Sequence, residues 1–279
     1  MTRHILIAIL TLAALGAGLW GLEAPREGLV IRHAAVGETP VTVMRAPEAQ
    51  GPVVVIAHGF AGSRQLMSAW QLSLAQAGFI TVSFDFEGHG RNPVPMSGDV
   101  TSIDGTTRLL MEETRRVTDY AVTLPGAQPR VALVGHSMAS DIVVRQGIAD
   151  DRVEAVVGIS LFSQAVTETE PANLLIVNGA WEGALRAEAR RVMAELGAEE
   201  GETVGMPGGA FARRAIAVPF VEHVGVLFAP SGIAAATDWL GASFGIAPEA
   251  RAVSLGPWIL LALFGAVLLV RPLARLLPE

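Results

Sequence analysis

A serine lies in the short run Gly135–Ala139 (GHSMA), between an apolar strand pattern and a helical pattern. The small residues at both ends of this run permit a sharp turn in which a strand and a helix approach closely. In such a turn the serine hydroxyl lies near the N-terminus of the helix, where the helix dipole favours negative charge. A serine becomes a nucleophile when a neighbouring base accepts its proton. Ser137 is therefore the candidate nucleophile.

A second glycine-containing turn, His58–Gly62 (HGFAG), follows the apolar strand pattern at 52–58. Glycine lets the backbone come close to a neighbouring group because it has no side chain. A turn of this composition provides either a backbone N–H donor for a bound anion or only a tight connection beside the core. We expect His58 itself to have a structural role.

The segment 57–92 continues from this turn through a helical pattern to the sequence DFEGHG, and it resembles the corresponding segment of α/β-hydrolases. Together with the turn at Ser137, the resemblance extends over about residues 28–243. In the G-x-S-x-G turn of that family a glycine stands where this chain has Ala139, which is still small. The resemblance implies a serine hydrolase of the esterase type.

The resemblance also implies which residues act with Ser137. In this family the acid follows the seventh strand and the histidine follows the eighth. Glu182 stands three residues beyond the strand pattern at 173–179, and His223 follows the pattern at 213–220. The implied catalytic triad is Ser137, Glu182 and His223, with the backbone N–H groups of Phe60 and Met138 as the oxyanion hole.

Other interpretations of these residues remain open. A glutamate at the start of a helix is stabilised there by the helix dipole without any catalytic role. Glu168, Glu170 and Asp151 are alternative acids, and His223 is also consistent with an ordinary exposed loop histidine. The class of protein is open in the same way, because a peptidase, an acyltransferase or a non-catalytic membrane-tethered binding module of this fold would retain these residues.

The resemblance further implies that substrate choice depends on a cap inserted after the sixth strand. Here only 12 residues separate Ser160 from Asn173, the limits of the adjacent strand patterns, and a large lid does not fit. We expect an open, shallow cleft lined by Phe60, Met138, Phe162 and Trp181, with Phe162 and Trp181 as substrate-binding residues. Such a cleft favours simple acyl esters without strict selectivity.

The composition excludes several other classes. All 20 basic residues are Arg, so the P-loop lysine, Schiff-base chemistry and Ser-Lys dyads are excluded. The absence of Cys excludes a thiol nucleophile and cysteine-ligated zinc. A net charge of −7 with scattered Arg disfavours nucleic acid as a partner. We expect neither a cofactor nor a metal, and a small-molecule or lipid-like ester as substrate.

Two uncharged stretches, 18 residues at Ile5–Leu22 and 19 residues at Ala252–Val270, predict transmembrane helices. The expected organisation is an N-terminal transmembrane helix or signal anchor at 1–22, an α/β-hydrolase domain at 23–251, a second transmembrane helix at 252–270 and a cytoplasmic tail at 271–279. A cleaved signal peptide is the alternative for the first stretch. A buried helix is the alternative for the second.

The residues that flank these stretches predict an orientation. Arg3 and His4 precede the first stretch, and Arg271 and Arg275 follow the second, so the positive-inside rule places both termini in the cytoplasm. The domain between them would then lie on the outer side of the plasma membrane. Trp residues at positions 20 and 258 lie at the predicted outer interface, which indoles favour.

Between the two stretches, β-branched runs alternate with helical patterns, which is typical of an α/β fold with a mostly parallel sheet. The strand patterns number eight and lie at 28–34, 40–46, 52–58, 79–85, 130–135, 153–160, 173–179 and 213–220. Helical patterns lie at 64–77, 103–124, 138–149, 181–196 and 233–241. The prediction is an eight-stranded sheet flanked by helices, with the first two strands as a leading hairpin.

Overall fold

The computed structural model of the protein describes residues 2–100, 102–247 and 252–274. The chain forms two compact units. One consists of residues 28–252, and the other combines the two terminal segments, 1–27 and 253–279.

The larger unit contains a nine-stranded sheet with the strand order β1-β2-β4-β3-β5-β6-β7-β9-β8. The strands are β1 (Val30–Val36), β2 (Thr39–Arg45), β3 (Gly51–Ala57), β4 (Ile80–Phe84), β5 (Ala127–His136), β6 (Val153–Ile159), β7 (Asn173–Gly179), β8 (Thr203–Gly205) and β9 (Ala212–Val218). The sheet is mixed: the pairs from β4 to β9 are parallel, whereas β2 is antiparallel to both β1 and β4, and β8 is antiparallel to β9.

The prediction of eight strands is wrong by one. The additional strand, β8, has only three residues and lies at the edge of the sheet. It therefore lacks the apolar run by which the other strands are recognised. It pairs with β9 across the glycine-rich turn at 205–211. The leading hairpin of β1 and β2 is confirmed.

Helices cover the sheet and bury its central strands. The helices of this unit are α2 (Ser68–Gln76), α3 (Arg108–Ala121), α4 (Met138–Ala149), α5 (Gly183–Ala194) and α6 (Pro230–Phe244). Helix α2 contacts α6, and α3 contacts α4. Every residue of β3, β4 and β7 is buried, as expected for apolar strands that are covered on both faces.

The strand order places a crevice at one edge of the sheet. Strand β3 pairs with β4 on one side and with β5 on the other, so the chain changes direction across the sheet at β3. In open α/β sheets, ligands bind outside the carboxyl ends of the strands at such a point. The turns at Gly59 and Ser137 follow β3 and β5, and they therefore meet at this crevice.

The smaller unit pairs α1 (Thr2–Glu23) with α7 (Gly256–Ala274). The helices are antiparallel, because a side chain at Gly265 would meet Leu15 and a side chain at Gly21 would meet Trp258. Glycine at these positions permits the close approach of the two helices, with Gly265 against the backbone of Leu15 and Gly21 against the ring of Trp258. The indole rings of Trp20 and Trp258 also meet edge to face, with centroids 6.3 Å apart.

One helix of this unit is long and apolar enough to cross a membrane. The apolar stretch Leu6–Arg26 has 21 residues and a mean hydropathy of 1.8, properties that an N-terminal signal sequence shares. The second predicted span is shorter than expected, because α7 begins at Gly256 instead of residue 252 and its described apolar part ends at Val270. At about 1.5 Å per residue, that part reaches only about 22 Å of a hydrocarbon core of about 30 Å.

The basic residues that predict the orientation fall mostly outside the described part of the chain. This applies to the side chains of Arg3, His4 and Arg271, and to the segment 275–279, which includes Arg275 and most of the predicted cytoplasmic tail.

Candidate active site

Ser137 occupies a sharp turn between β5 and α4. Its φ of 54° lies in the left-handed region, which L-residues rarely adopt, and its N–H donates to the carbonyl of Ile159 at 2.9 Å. Gly135 permits this turn, because a Cβ there would collide with the carbonyl of Ala139 and with Val143. Ala139 is fully buried, so alanine fits where the family pattern has glycine.

The structure brings Ser137, His223 and Glu182 together in one hydrogen-bonded chain. The Oγ of Ser137 lies 2.7 Å from Nε2 of His223, and Nδ1 of the same ring lies 2.6 Å from Oε1 of Glu182. A carboxylate only accepts hydrogen bonds, so Nδ1 carries the proton and Nε2 accepts from the serine hydroxyl. This is the arrangement that activates a serine.

Glu182 is held by two further donors. Its Oε2 accepts hydrogen bonds from the N–H of Gly179 at 2.5 Å and from the hydroxyl of Ser160 at 2.9 Å. Ser160 follows β6 with a φ of 52° and is buried. Sequence analysis missed Ser160 as a site residue; the only signal for it was its place at the carboxyl end of a central strand.

His136 fixes the loop that carries His223. His136 precedes Ser137 in the turn, and its Nε2 donates to the carbonyl of His223 at 2.9 Å. The neighbouring Glu222 accepts hydrogen bonds from the N–H groups of Val224 and Gly225, each at 2.8 Å, and these bonds lower its pKa. The loop is therefore held from two directions.

The two backbone N–H groups predicted to form the oxyanion hole, those of Phe60 and Met138, lie beside the Ser137 turn and are unpaired among the described residues. The first is brought close by Gly59, where a Cβ would lie only 2.9 Å from Cβ of Ser137. The second belongs to Met138, the first residue of α4, and the first N–H groups of a helix have no partner within the helix.

His58 is buried, and both of its ring nitrogens bond to the backbone, which agrees with the predicted structural role. Its Nδ1 donates to the carbonyl of Gly59 at 2.7 Å, and its Nε2 accepts from the N–H of Phe86 at 3.1 Å. Burial lowers the pKa of His58 and the pKa of His136 to about 4, so both rings are neutral near pH 7.

These two histidines predict an acid-dependent loss of stability. Between about pH 6.5 and pH 5 the unfolded chain binds a proton at each ring that the folded domain does not bind. As the pH is lowered through this range, the free energy of unfolding should therefore fall by on the order of 1 kcal/mol per pH unit for each histidine. Above about pH 7 the two histidines should not change the pH dependence of stability. Denaturant unfolding at a series of pH values measures this slope.

The variant His136→Gln tests the assignment, because it leaves one of the two buried rings. Its slope between pH 6.5 and pH 5 should be about half that of the wild type. An unchanged slope would show that His136 is protonated equally in the folded and unfolded states.

The expected cleft is present beside Ser137, but it is not shallow. A cavity of about 800 Å³ lies beside Ser137 and His223. Part of its wall comes from the connection between β4 and α3, including Met96, Val100 and Ile103. This connection of more than 20 residues contains the Gly- and Pro-rich run 88–98, and a loop of such length is usually functional. Its length was the signal that could have predicted the wall.

The connection is held to the sheet by Asp85. The carboxylate of Asp85 accepts hydrogen bonds from the N–H groups of Arg64 at 2.8 Å and Arg91 at 2.9 Å, and it forms a buried ion pair with the Arg64 side chain. Asn92 donates to the carbonyl of Asp85 and to the carboxylate of Glu113, both at 2.9 Å. These bonds fix the base of the cavity wall.

Of the predicted substrate-binding residues, Phe162 lines the cavity and Trp181 does not. Trp181 follows β7, and its side chain is exposed on the surface. Phe60 and Met138 line the cavity as expected. The alternative acids Glu168, Glu170 and Asp151 are not among the described residues that contact His223.

The turn at Ser137, the histidine after the last parallel strand and the mixed sheet together are typical of the α/β-hydrolase class. Residues 48–200, more than half of the chain, match the Hydrolase_4 family, described as serine aminopeptidase, S33. The chain belongs to this family. No curated protein matches the sequence significantly.

Solved structures with the same fold include TT1662 from Thermus thermophilus, with 18% identity, a TM-score of 0.53 and alignment over 77% of this chain and 99% of that chain. A hypothetical protein of Pseudomonas aeruginosa aligns with 14% identity, a TM-score of 0.56 and coverage of 76% and 94%. Dienelactone hydrolase from Anabaena variabilis aligns with 18% identity, a TM-score of 0.52 and coverage of 76% and 96%. At these identities the likeness shows the fold alone.

Proposed function

We propose that this α/β-hydrolase cleaves carboxylic esters with Ser137 as nucleophile, His223 as general base and acid, and Glu182 as the group that orients the histidine. The observation that carries the proposal is the continuous chain of short hydrogen bonds from Oγ of Ser137 through His223 to the buried Glu182 carboxylate.

The proposed reaction has two halves. As Oγ of Ser137 forms a bond to the ester carbonyl, its proton moves to Nε2 of His223, and the N–H groups of Phe60 and Met138 stabilise the oxyanion. The bond to the alcohol then breaks, and His223 returns the proton to the leaving oxygen. Water attacks the acyl-enzyme with His223 again as base, which releases the acid and restores Ser137.

The cavity favours an ester over the N-terminus of a peptide. Its described wall is largely apolar, with Phe60, Leu110, Ile142 and Leu185 among its residues. An aminopeptidase needs an acceptor for the substrate ammonium. Among the described residues of the wall the one carboxylate is that of Asp141, which already accepts bonds from Ser163 and Arg145. Peptide cleavage and acyl transfer are therefore the second candidates for the same site.

Purified protein tested on p-nitrophenyl butyrate and on alanine p-nitroanilide separates these activities. We expect ester hydrolysis and covalent labelling by a fluorophosphonate, with much slower release from the anilide. Turnover of the anilide alone would identify a peptidase. A well-folded protein that neither reacts with the fluorophosphonate nor cleaves either compound would favour a non-catalytic binding module.

We further propose that α1 anchors the domain to a membrane and that α7 contributes a second, shorter membrane segment. Large apolar side chains on both helices are exposed, among them Leu10, Leu12, Leu260 and Phe264. Exposed apolar surface of this extent is unfavourable in water and favourable in lipid. Such anchoring suits a lipid-like substrate that reaches the domain on the outer side of the plasma membrane.

Reporter fusions test this organisation. A reporter that works only after export should be active when fused after residue 251, and a reporter that works only in the cytoplasm should be active at the C-terminus of the full chain. The opposite pattern would invert the orientation. Recovery of a protein that has lost the mass of the first helix would identify that helix as a cleaved signal peptide.

A further inference from the structure

The cavity beside Ser137 has a charged end. Apart from His223, the described residues of its wall carry only two ionisable side chains, Asp141 and Arg145. Both belong to α4, the helix that begins directly after Ser137. The remainder of the described wall is apolar or carries only uncharged polar groups. This ion pair is therefore the part of the wall that could bind a charged group of a ligand.

Most donors of Arg145 have no partner among the described residues of the protein. Its Nε donates to Oδ2 of Asp141 at 2.7 Å, whereas Oδ1 of Asp141 accepts from the hydroxyl of Ser163 at 2.5 Å. A guanidinium has five N–H donors, and among the described residues only Asp141 accepts from Arg145. The side chain is 19% exposed, so its remaining donors are available to a ligand within the cavity.

The spacing along α4 sets the length of that ligand. Residues 141 and 145 are four apart and lie on one face of α4, and Ser137 directly precedes the helix; all three line the cavity. Eight residues of helix span about 12 Å, and helical side chains lean towards the N-terminus, which brings the guanidinium nearer to Ser137 than that. Ile142 lies between the two ends and is apolar. A ligand that reaches both ends therefore has an apolar middle.

We infer that the cavity takes an acyl chain of medium length that ends in a carboxylate, and that Arg145, oriented by Asp141, binds this carboxylate. The substrate class is thus a monoester of a medium-length dicarboxylic acid. The inference rests on the proposed ester hydrolysis at Ser137. Guanidinium is well matched to a carboxylate because both groups are planar and pair through two parallel hydrogen bonds.

The order of the reaction places the anion on the acyl half. The leaving group departs before water attacks, so the leaving-group side must be open to solvent. Phe60 and Phe162, which are more than half exposed, stand where the cavity meets solvent. The acyl half remains bound through both steps and lies towards the partly buried Arg145.

A matched series of esters tests the inference on the full-length protein. The p-nitrophenyl monoester of suberic acid, p-nitrophenyl octanoate and the p-nitrophenyl ester of ω-aminooctanoic acid have the same chain length and differ only in the terminal group. We expect kcat/KM for the suberate monoester to exceed that for octanoate by about tenfold or more, through a lower KM. The ammonium ester should be the poorest of the three.

The variant Arg145→Gln should reduce the ratio of suberate to octanoate turnover to about one or below, because Asp141 then has no cationic partner. Arg130→Gln is the matched control, since Arg130 forms an exposed ion pair with Glu154 and does not line the cavity. It should leave the ratio unchanged. Thermal unfolding of both variants verifies that each is folded.

The outcomes are distinguishable. Hydrolysis of octanoate without a preference for suberate would overturn the role of Arg145 and leave the ester hydrolase intact. A preference that survives in Arg145→Gln would assign the carboxylate to another cation, and a preference for the ammonium ester would assign the charged end to Asp141. Failure to hydrolyse all three esters would overturn the proposed function, and the inference with it.

Discussion

Replacement of Ser137 by alanine is expected to abolish fluorophosphonate labelling and to lower kcat on p-nitrophenyl butyrate by at least about a thousandfold. Among the described residues, Ser137 supplies the oxygen that is hydrogen-bonded to Nε2 of His223, at 2.7 Å, so its loss should remove the proposed covalent route. Active-site labelling followed by mass spectrometry, together with initial rates, measures the effect.

Ser231→Ala is the control for this prediction, because Ser231 is an exposed serine near the start of α6 and lies outside the cavity wall. It should retain labelling and rate. Labelling that persists in Ser137→Ala would locate the nucleophile elsewhere in the chain.

The same position also predicts a difference in stability between two inactive variants. The backbone at Ser137 has a φ of 54°, which strains any residue with a Cβ and costs glycine little. Ser137→Gly should therefore have a free energy of unfolding about 1 kcal/mol higher than Ser137→Ala. Equal denaturation midpoints would show that the turn relaxes when the serine is removed.

Glu182→Gln is expected to reduce kcat by about a thousandfold or more while KM changes little. The Glu182 carboxylate accepts hydrogen bonds from three donors: Nδ1 of His223, the N–H of Gly179 and the hydroxyl of Ser160. A glutamine side chain has one acceptor oxygen and one NH₂ group, so at least one of the donors would face another donor. The amide also cannot stabilise the imidazolium that forms when Ser137 attacks.

Glu168→Gln provides the comparison, because Glu168 is exposed and is one of the alternative acids. It should leave kcat within about twofold of the wild type. A large loss in Glu168→Gln with a small loss in Glu182→Gln would reverse the assignment of the acid.

Much of the fold follows from local pattern, because buried parallel strands are short apolar runs that stand out between polar turns. Strand β7 (NLLIVNG) is apolar over most of its length, and its predicted bounds are those of the structure. Strand β8 (TVG) has no such run, because an edge strand of three residues buries almost nothing. Helix α3 begins at Arg108, later than predicted, because the turn at Ile103–Thr107 has a π-helical conformation with Gly105 outside helical geometry.

Some residues of the candidate site could likewise be predicted from the sequence, and others could not. Ser137, Glu182 and His223 have an order along the chain that the family resemblance supplies, and the structure places them in contact. The roles of Ser160 and His136 arise from contacts between distant segments; His136, for example, lies 87 positions before the residue whose carbonyl it bonds. No local pattern carries that information, so a search by motif does not find it.

The antiparallel pairing of α1 and α7 joins the two ends of the chain segment that forms the larger unit, so this segment is a closed loop. Because residues 27 and 253 belong to one compact unit, the chain between them could not spread freely while that unit stays folded, even if every strand separated. Closing a loop of this length restricts the unfolded chain by on the order of 5 kcal/mol. A single cut between the domain and α7 would release that restraint without removing any contact of the sheet, so the cut protein should unfold at a lower denaturant concentration.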